Sequence, residues 1–158
     1  MGKKAILVVG AGDSTGGAVA RRFAREGYAA CVVRRNAGKL EPLCERIRAE
    51  GGEAIPFGVD ARQESAVADL VETIERDVGP IEVAVFNIGG NVSYPLLETT
   101  SRVYFKVWQM ACFSGFLTGR EVAKRMLPRG RGTILFTGAT ASVRGGVGFS
   151  ASRARNMG

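Results

Sequence analysis

The sequence predicts an α/β fold, a doubly wound parallel sheet with helices on both faces. Its 158 residues suffice for one ordinary domain and not for two. Short runs that are apolar on both faces alternate with segments of helical period, which is the pattern of a covered parallel sheet joined by right-handed crossovers. Glycine supplies 22 of the residues, about twice its usual share, so several tight turns are expected.

Each predicted element follows from the spacing of its apolar residues. The predicted strands are residues 5–9, 29–33, 54–59, 81–86 and 133–137. Helical period between them predicts two buried faces, formed by Leu40, Leu43, Ile47, Val67, Leu70, Val71 and Ile74. The opposite side of the second of these helices is predicted to point to water through Asp69, Glu72, Glu75 and Arg76. A longer helix is predicted over 107–127, where Pro128 ends it.

Charge and residue usage exclude several classes of function. The 22 Lys and Arg against 15 Asp and Glu give a net charge of +7, but the basic residues are scattered, so no specific nucleic-acid site is expected. No histidine occurs and the three cysteines are far apart, which predicts reduced thiols and no metal site. No apolar run reaches the length of a membrane span and no signal-peptide pattern is present, so a cytoplasmic location without membrane contact is expected.

A glycine-rich loop directly follows the first predicted strand and opens a predicted helix. This Rossmann-type turn presents backbone N–H groups at the positive end of the helix dipole, where a pyrophosphate can bind. Gly10 would permit the tight turn, and Gly16 would let the helix pack on the strand. The predicted phosphate-binding residues are Gly10, Gly12, Asp13, Ser14, Thr15 and Gly16. A glycine-rich turn without a ligand is the alternative.

Two arginines at the end of the second predicted strand indicate which dinucleotide would bind. An NAD(H) site places an acidic residue there, whereas this chain has Arg34 and Arg35. A guanidinium paired with a phosphate contributes about 1.5–3 kcal/mol, so NADP(H) is expected to bind about one to two decades more tightly than NAD(H). A solvated basic turn is the alternative. A different doubly wound domain, such as a flavodoxin-like one, is a further alternative for the whole chain. The two arginines argue against it, because such a domain has no 2′-phosphate to bind.

These motifs resemble those of the short-chain dehydrogenase/reductase family over about residues 4–150. The family's Thr-Gly-x-x-x-Gly-x-Gly is similar to residues 9–16, with Val9 in place of Thr and Ser14 in place of the middle Gly. The segment from Phe86 to Gly89, with Asn87, is similar to the family's Asn-Asn-Ala-Gly, and Asp60 falls where the family contacts adenine. The resemblance implies an NADP(H)-dependent oxidoreductase that transfers hydride between nicotinamide and a carbonyl or alcohol.

The resemblance also implies a catalytic tetrad, which this sequence does not contain. The positions of the family's Asn, Ser, Tyr and Lys hold Cys112, Ala139, Ser152 and Asn156. No Tyr-x-x-x-Lys occurs anywhere in the chain. Because one acid–base partner contributes about 10²–10⁴-fold to a rate, the chain is expected to be catalytically impaired. The alternative is a non-catalytic protein that binds NADP(H) or a partner subunit.

Residues 1–151 are predicted to form an incomplete domain of this family, truncated after the fifth strand, and residues 152–158 an aberrant tail. Deleting one nucleotide from a coding sequence for Phe-Ala-Gly-Ala-Lys-His-Gly reproduces the tail, so a frameshift is our hypothesis for its origin. Without a following strand, Ile134, Leu135 and Phe136 would be incompletely covered. By resemblance, family members pair through the helix that contains Val122 and Met126. A homo-oligomer or self-association is therefore expected.

Overall fold

The strands form a parallel five-stranded sheet in the order β3-β2-β1-β4-β5. The computed structural model describes residues 3–89, 92–140 and 144. The strands are β1 (Ala5–Val9), β2 (Ala29–Arg34), β3 (Glu53–Gly58), β4 (Ile81–Phe86) and β5 (Thr133–Phe136). The chain builds β2 and β3 on one side of β1 and then β4 and β5 on the other, so the strand order reverses at β1. The predicted doubly wound sheet is confirmed, with β1 and β4 at the bounds expected from the sequence.

In the described part of the chain, five α-helices lie between the strands. They are α1 (Thr15–Arg25), α2 (Glu41–Ala49), α3 (Glu64–Thr73), α4 (Ser101–Trp108) and α5 (Ser114–Met126). A π-helical turn, Ile74–Val78, extends α3, and another, Gln109–Phe113, joins α4 to α5 in one continuous helical segment. The predicted long helix therefore begins earlier than expected, at Ser101, where the Thr100 hydroxyl accepts a hydrogen bond from the Val103 N–H at 3.3 Å.

Helices cover both faces of the sheet, as predicted. Successive side chains of a strand point to opposite faces. Leu7 packs in one cluster with side chains of α3 and α5, including Leu70 and Leu117. Val8 packs on the other face with Leu43 of α2. None of the helices in the described part of the chain combines the length and apolar character of a membrane-spanning segment.

Glu75 contradicts the prediction that it points to water. Its carboxylate accepts hydrogen bonds from Arg129 Nη1 at 2.6 Å, from Arg129 Nη2 at 3.1 Å and from the Ile81 N–H at 2.9 Å. Arg129 Nη2 also donates to the Ile81 carbonyl at 2.9 Å. Only 15% of the Glu75 side chain is exposed. The pair joins the end of the α3 segment and the turn after α5 to the first residue of β4.

Val122 and Met126, on the helix through which family members are expected to pair, lie in the core of this chain. Val122 is fully buried and Met126 is 6% exposed, and both pack in the core between α5 and the sheet. Both side chains therefore stabilise the fold of this chain. The exposed apolar residues of the α4–α5 segment are instead Tyr104, Phe105 and Phe116.

Strand β5 is incompletely covered, as predicted. It pairs with β4 in parallel register, from Val83 with Thr133 to Phe86 with Phe136. Leu135 is 50% exposed and Phe136 is 57% exposed, whereas Ile134 is half-buried and packs against the core. Within the described residues, β5 is the edge of the sheet. In the strand order, β5 is separated from β1 and β2 by β4.

Candidate functional site

The glycine-rich loop leaves β1 through Gly10, which has the left-handed conformation. Its φ is +87°, and a Cβ at this position would lie 2.7 Å from the carbonyl oxygen of Asn87. The N–H groups of Gly10 and Ala11 both donate to the Val33 carbonyl, at 3.0 and 3.2 Å. The position therefore requires glycine on conformational and on steric grounds, and the tight turn predicted at Gly10 is present.

Two glycines let α1 begin in contact with this loop. A Cβ on Gly16 would lie 2.5 Å from the Gly10 carbonyl oxygen, as expected for a residue that permits close packing. A Cβ on Gly17 would overlap the carbonyl oxygen of Gly12, a requirement that our sequence analysis did not assign. The first N–H groups of a helix lack partners within it, and Ser14 makes no side-chain capping bond to them. The loop thus offers N–H donors and a positive helix end to an anion.

The other predicted loop residues lie at the surface of this turn. Asp13, Ser14 and Thr15 are exposed. Asp13 Oδ1 lies 3.9 Å from Arg46 Nη2 across solvent, so a cation offsets the one acid of the loop. Arg34 Nη1 lies 4.0 Å from the point where a Cβ on Gly12 would stand, so the guanidinium extends over the loop.

Asn87 holds the end of β4 against the glycine-rich loop. Its N–H donates to the Val9 carbonyl at 2.7 Å, and its Nδ2 donates to the Gly10 carbonyl at 3.2 Å. The side chain thereby satisfies the carbonyl of the tight turn and fixes the loop relative to β4. Gly89 follows in an exposed segment. The structure thus gives Asn87 a contact with the predicted loop, and among the described residues Gly89 is not part of the cleft wall described below.

A cleft opens at the carboxyl ends of β1, β2 and β3, beside the point where the strand order reverses. Doubly wound sheets bind ligands at this place. The structure brings four of the predicted residues to the walls of this carboxyl-edge cleft, namely Gly10, Arg34, Arg35 and Asp60. Arg62, Ile88 and Met110 also line it and were not predicted. Ile88 comes from the segment after β4, and Met110 comes from the π-helical turn between α4 and α5. No local sequence pattern joins either residue to β2.

Asp60 makes its strongest contacts with Arg62. Arg62 Nε donates to Asp60 Oδ1 at 2.9 Å and Nη2 donates to Oδ2 at 2.6 Å. The Arg62 guanidinium holds the pKa of Asp60 below its usual range, and the charge of Arg35 acts in the same direction. Asp60 is therefore ionised at neutral pH.

The charges around the cleft favour an anionic ligand. Among the described residues that line it, Asp60 is the one acid, against Arg34, Arg35 and Arg62. The paired Asp60 and Arg62 cancel each other, which leaves the two guanidiniums of Arg34 and Arg35. The residues present therefore fit an anionic ligand such as a nicotinamide dinucleotide.

The family's catalytic positions are only partly described. Cys112 lies in the π-helical turn between α4 and α5 and is half-buried. Ala139 follows β5 and is likewise half-buried. The predicted positions Ser152 and Asn156 lie outside the described residues.

Comparison with known proteins identifies the family. The family model for short chain dehydrogenases matches residues 4–154. This chain belongs to the short-chain dehydrogenase family. Gluconate 5-dehydrogenase of Gluconobacter oxydans (strain 621H) is 35% identical over 129 residues, which cover 82% of this chain and 50% of the relative. The solved short-chain dehydrogenase from Rhodopseudomonas palustris is 47% identical, with a TM-score of 0.91 over 96% of this chain and 71% of that one.

Solved structures of the family contain either nicotinamide dinucleotide. Actinorhodin polyketide ketoreductase (F189W), solved with NADPH, is 27% identical, with a TM-score of 0.91 over 97% of this chain and 60% of that one. NAD+-bound xylitol dehydrogenase is 28% identical, with a TM-score of 0.90 over 97% of this chain and 59% of that one. This short-chain dehydrogenase chain spans about half the length of the curated relatives it matches. The fold and the oxidoreductase family expected from the motifs are thus confirmed.

Proposed function

We propose that this short-chain dehydrogenase chain binds NADP(H) in preference to NAD(H) at the carboxyl-edge cleft. NADPH, when bound, supplies a hydride for the reduction of a carbonyl group. The observation that carries the proposal is the pair Arg34 and Arg35, which ends β2 and lines the cleft beside the glycine-rich loop. An acid in this position would repel a 2′-phosphate, whereas two guanidiniums bind it by charge-assisted hydrogen bonds.

Each part of the cleft has its own task in this proposal. The N–H groups at the start of α1 bind the pyrophosphate, and Gly16 and Gly17 let this helix begin in contact with the loop. Arg34 and Arg35 bind the 2′-phosphate. Asp60, ionised and partly exposed, accepts a hydrogen bond from the base. The loop that carries these groups is held by backbone hydrogen bonds to β2 and β4, so little ordering remains to be done on binding.

We propose further that the 158 residues turn over carbonyl substrates poorly or not at all. The family's general acid and its lysine have no counterpart, since the chain contains no Tyr-x-x-x-Lys. Cys112 and Ala139 replace the amide and hydroxyl of the other two positions. The methyl group of Ala139 cannot donate a hydrogen bond to polarise a carbonyl oxygen, and the thiol of Cys112 is a much weaker donor than the amide that it replaces. These replacements equally favour the alternative, a protein that binds NADP(H) without turnover.

Calorimetric titration with NADP and NAD side by side tests the cofactor proposal. We expect NADP to bind about 10–100-fold more tightly than NAD. Arg34→Ala should reduce this ratio, because it removes one phosphate ligand. Arg22→Ala removes the same charge from the exposed end of α1, where Arg22 pairs with Glu26, and should leave the ratio unchanged. Equal affinity for the two dinucleotides would contradict the proposal.

Turnover is tested by the loss of nicotinamide absorbance with NADPH and a panel of carbonyl compounds. The control is Gly16→Asp, which places a carboxylate where a Cβ alone would lie 2.5 Å from the Gly10 carbonyl oxygen. We expect binding of NADPH by the unsubstituted chain and a rate no greater than that of the control. A rate well above the control would show that another residue performs the acid–base step.

We also propose a reducing, cytoplasmic location and association between copies of the chain. The location is supported by Cys31, Cys44 and Cys112, which are all free thiols. Burial raises the pKa of Cys31 to about 12, so this thiol is unreactive at neutral pH. Association is supported by the exposed apolar side chains on β5 and on the α4–α5 segment.

A further inference from the structure

Arg62 lines the carboxyl-edge cleft, but the proposed binding of NADP(H) gives it no role. We infer that Arg62 is a positioning residue, which orients the Asp60 carboxylate so that one oxygen can accept a hydrogen bond from the amino group of adenine. This inference rests on the proposed function. It adds a source of selectivity for the base that is separate from the selectivity for the phosphate.

The contacts between the two residues fix the plane of the carboxylate. Asp60 Oδ1 accepts from the backbone N–H of Arg62 at 3.1 Å and from its Nε at 2.9 Å. Oδ2 accepts from Nη2 at 2.6 Å, with Nε at the longer distance of 3.2 Å. A planar guanidinium that binds both oxygens allows only one orientation of the carboxylate.

Counting the acceptor positions shows what the fixed carboxylate can still bind. A carboxylate offers about four such positions, two on each oxygen. Oδ1 uses both of its positions on Arg62, whereas Oδ2 uses one for its short bond to Nη2. The contact of Oδ2 with Nε at 3.2 Å shares the single Nε hydrogen, which points mainly to Oδ1 at 2.9 Å. The remaining position is on Oδ2, and 29% of the Asp60 side chain is exposed. The carboxylate can therefore accept one further hydrogen bond from a ligand.

The chemistry of the cleft identifies the donor. A nucleobase that reaches Asp60 must present an N–H group, because the ionised carboxylate is an acceptor only. Adenine presents its exocyclic amine, whereas hypoxanthine has a carbonyl oxygen at the same place, which the carboxylate repels. The Arg62 fork is already engaged by Asp60, so the 2′-phosphate is left to Arg34 and Arg35. Removing Arg62 should therefore impair recognition of the base and spare recognition of the phosphate.

Two affinity ratios, measured by calorimetry on the 158-residue chain, test this inference. The first compares NADP with its hypoxanthine analogue, and the second compares NADP with NAD. We expect the chain to prefer adenine by about tenfold. Arg62→Ala should abolish this preference and leave the NADP-to-NAD ratio within about twofold of its original value. Arg62→Lys, which keeps the charge but lacks the fork, should give an adenine preference between those of the original chain and Arg62→Ala.

The matched control is Arg76→Ala. Arg76 also holds a carboxylate through Nε and Nη2, at 2.7 and 2.8 Å from Asp77, but on the exposed π-helical turn after α3. It should change neither ratio. Thermal unfolding of each variant shows whether it is folded, and Arg62→Lys provides the test if Arg62→Ala is not.

The possible failures can be told apart. If the unsubstituted chain binds neither dinucleotide, the cofactor proposal and this inference both fail. If it binds NADP and Arg62→Ala keeps the adenine preference, only the role of Arg62 is overturned. If Arg62→Ala instead lowers the NADP-to-NAD ratio at an unchanged adenine preference, Arg62 is a third phosphate ligand and the inference is wrong.

Discussion

Strands β1 and β5 have similar apolar sequences but very different surroundings. All five residues of β1 are buried, whereas three of the four residues of β5 are exposed. β1 pairs with β2 and β4 and is covered by helices on both faces. Within the described residues, β5 pairs with β4 alone. The comparison teaches that neighbours, and not the apolar character of a strand, decide whether its side chains are removed from water.

The same contrast between covered and exposed strands distinguishes the proposed cofactor site from a predicted catalytic position. The carboxyl-edge cleft stands on β1, β2 and β3, where the loop groups are fixed by buried strands and backbone hydrogen bonds. Groups held by a rigid framework lose little conformational entropy when they bind a ligand. Ala139, at a family catalytic position, follows the exposed strand β5 instead. The proposed cofactor site therefore stands on the covered part of the sheet, and Ala139 lies beside its exposed edge.

The largest expected effect contrasts one leucine in each strand. Leu7→Ala in β1 should lower the free energy of unfolding by about 2–5 kcal/mol, because Leu7 is 1% exposed and its removal leaves a cavity. Leu135→Ala in β5 should cost less than about 1 kcal/mol, since half of that side chain already contacts water. Urea denaturation followed by circular dichroism measures both. Equal losses would show that β5 is covered in solution.

A smaller effect is expected for the Glu75–Arg129 pair, which stabilises the β4 side of the sheet. Arg129→Ala should lower the free energy of unfolding by about 1–3 kcal/mol, because it leaves the half-buried Glu75 carboxylate without its cation. Arg76→Ala removes an exposed arginine from the π-helical turn that contains Glu75, and should lower the free energy of unfolding by less than about 1 kcal/mol. The two variants are compared in the same urea titration. If they lose equal stability, the buried pair contributes no more than a surface pair.

Association of the chain should depend on the exposed edge at β5. An added charge on an edge strand opposes pairing with another copy, so Leu135→Lys should shift sedimentation velocity profiles from larger species toward monomer. Ser101→Lys adds the same charge at the exposed start of α4, and should leave the profiles unchanged. A sharp monomer peak for the unsubstituted chain would contradict the expected association. An unaltered profile for Leu135→Lys would move the contact to another surface, such as that of Phe105 and Phe116.

Local patterns sufficed to predict the features that depend on neighbours in sequence. The bounds of β1 and β4 were predicted because these strands are apolar on both faces and end at polar or glycine residues. Gly10 and Gly16 were predicted because a strand–loop–helix turn makes steric demands at fixed positions. The start of α4 was missed, although Thr100, three residues before Val103, is a capping signal that the apolar spacing did not include.

Contacts between distant segments could not be predicted from the sequence. Glu75 lies on the polar side of a helical period, and nothing near it in sequence reveals that Arg129, 54 residues away, will bury it. Arg62 was missed for a different reason. It stands two residues from Asp60, but only the geometry of the cleft shows that its guanidinium binds that carboxylate and does not extend into solvent.

The smallest expected effect is a dependence on pH that compares one carboxylate from each side of the sheet. Arg62 holds the pKa of Asp60 below its usual value, and Lys124, together with Arg120, does the same for the pKa of Glu121 in α5. A carboxylate whose pKa is lower in the folded chain stabilises the fold above its unfolded pKa of about 4, and this contribution is lost as the pH falls through the folded pKa. Asp60→Asn and Glu121→Gln should therefore lower the free energy of unfolding at pH 7 and approach the original chain in acid.

Glu121→Gln should show the larger loss, because 10% of the Glu121 side chain is exposed against 29% for Asp60, so water screens its ion pairs less. Urea denaturation at pH 7 and at successive steps below about pH 4 measures how closely the stability of each variant approaches that of the original chain. Glu26→Gln, at an exposed pair on α1, is the control for loss of a surface charge. If the difference in stability between a variant and the original chain persists unchanged in acid, the substitution acts through packing and not through charge. The carboxylates on the two sides of the sheet would then differ in burial alone.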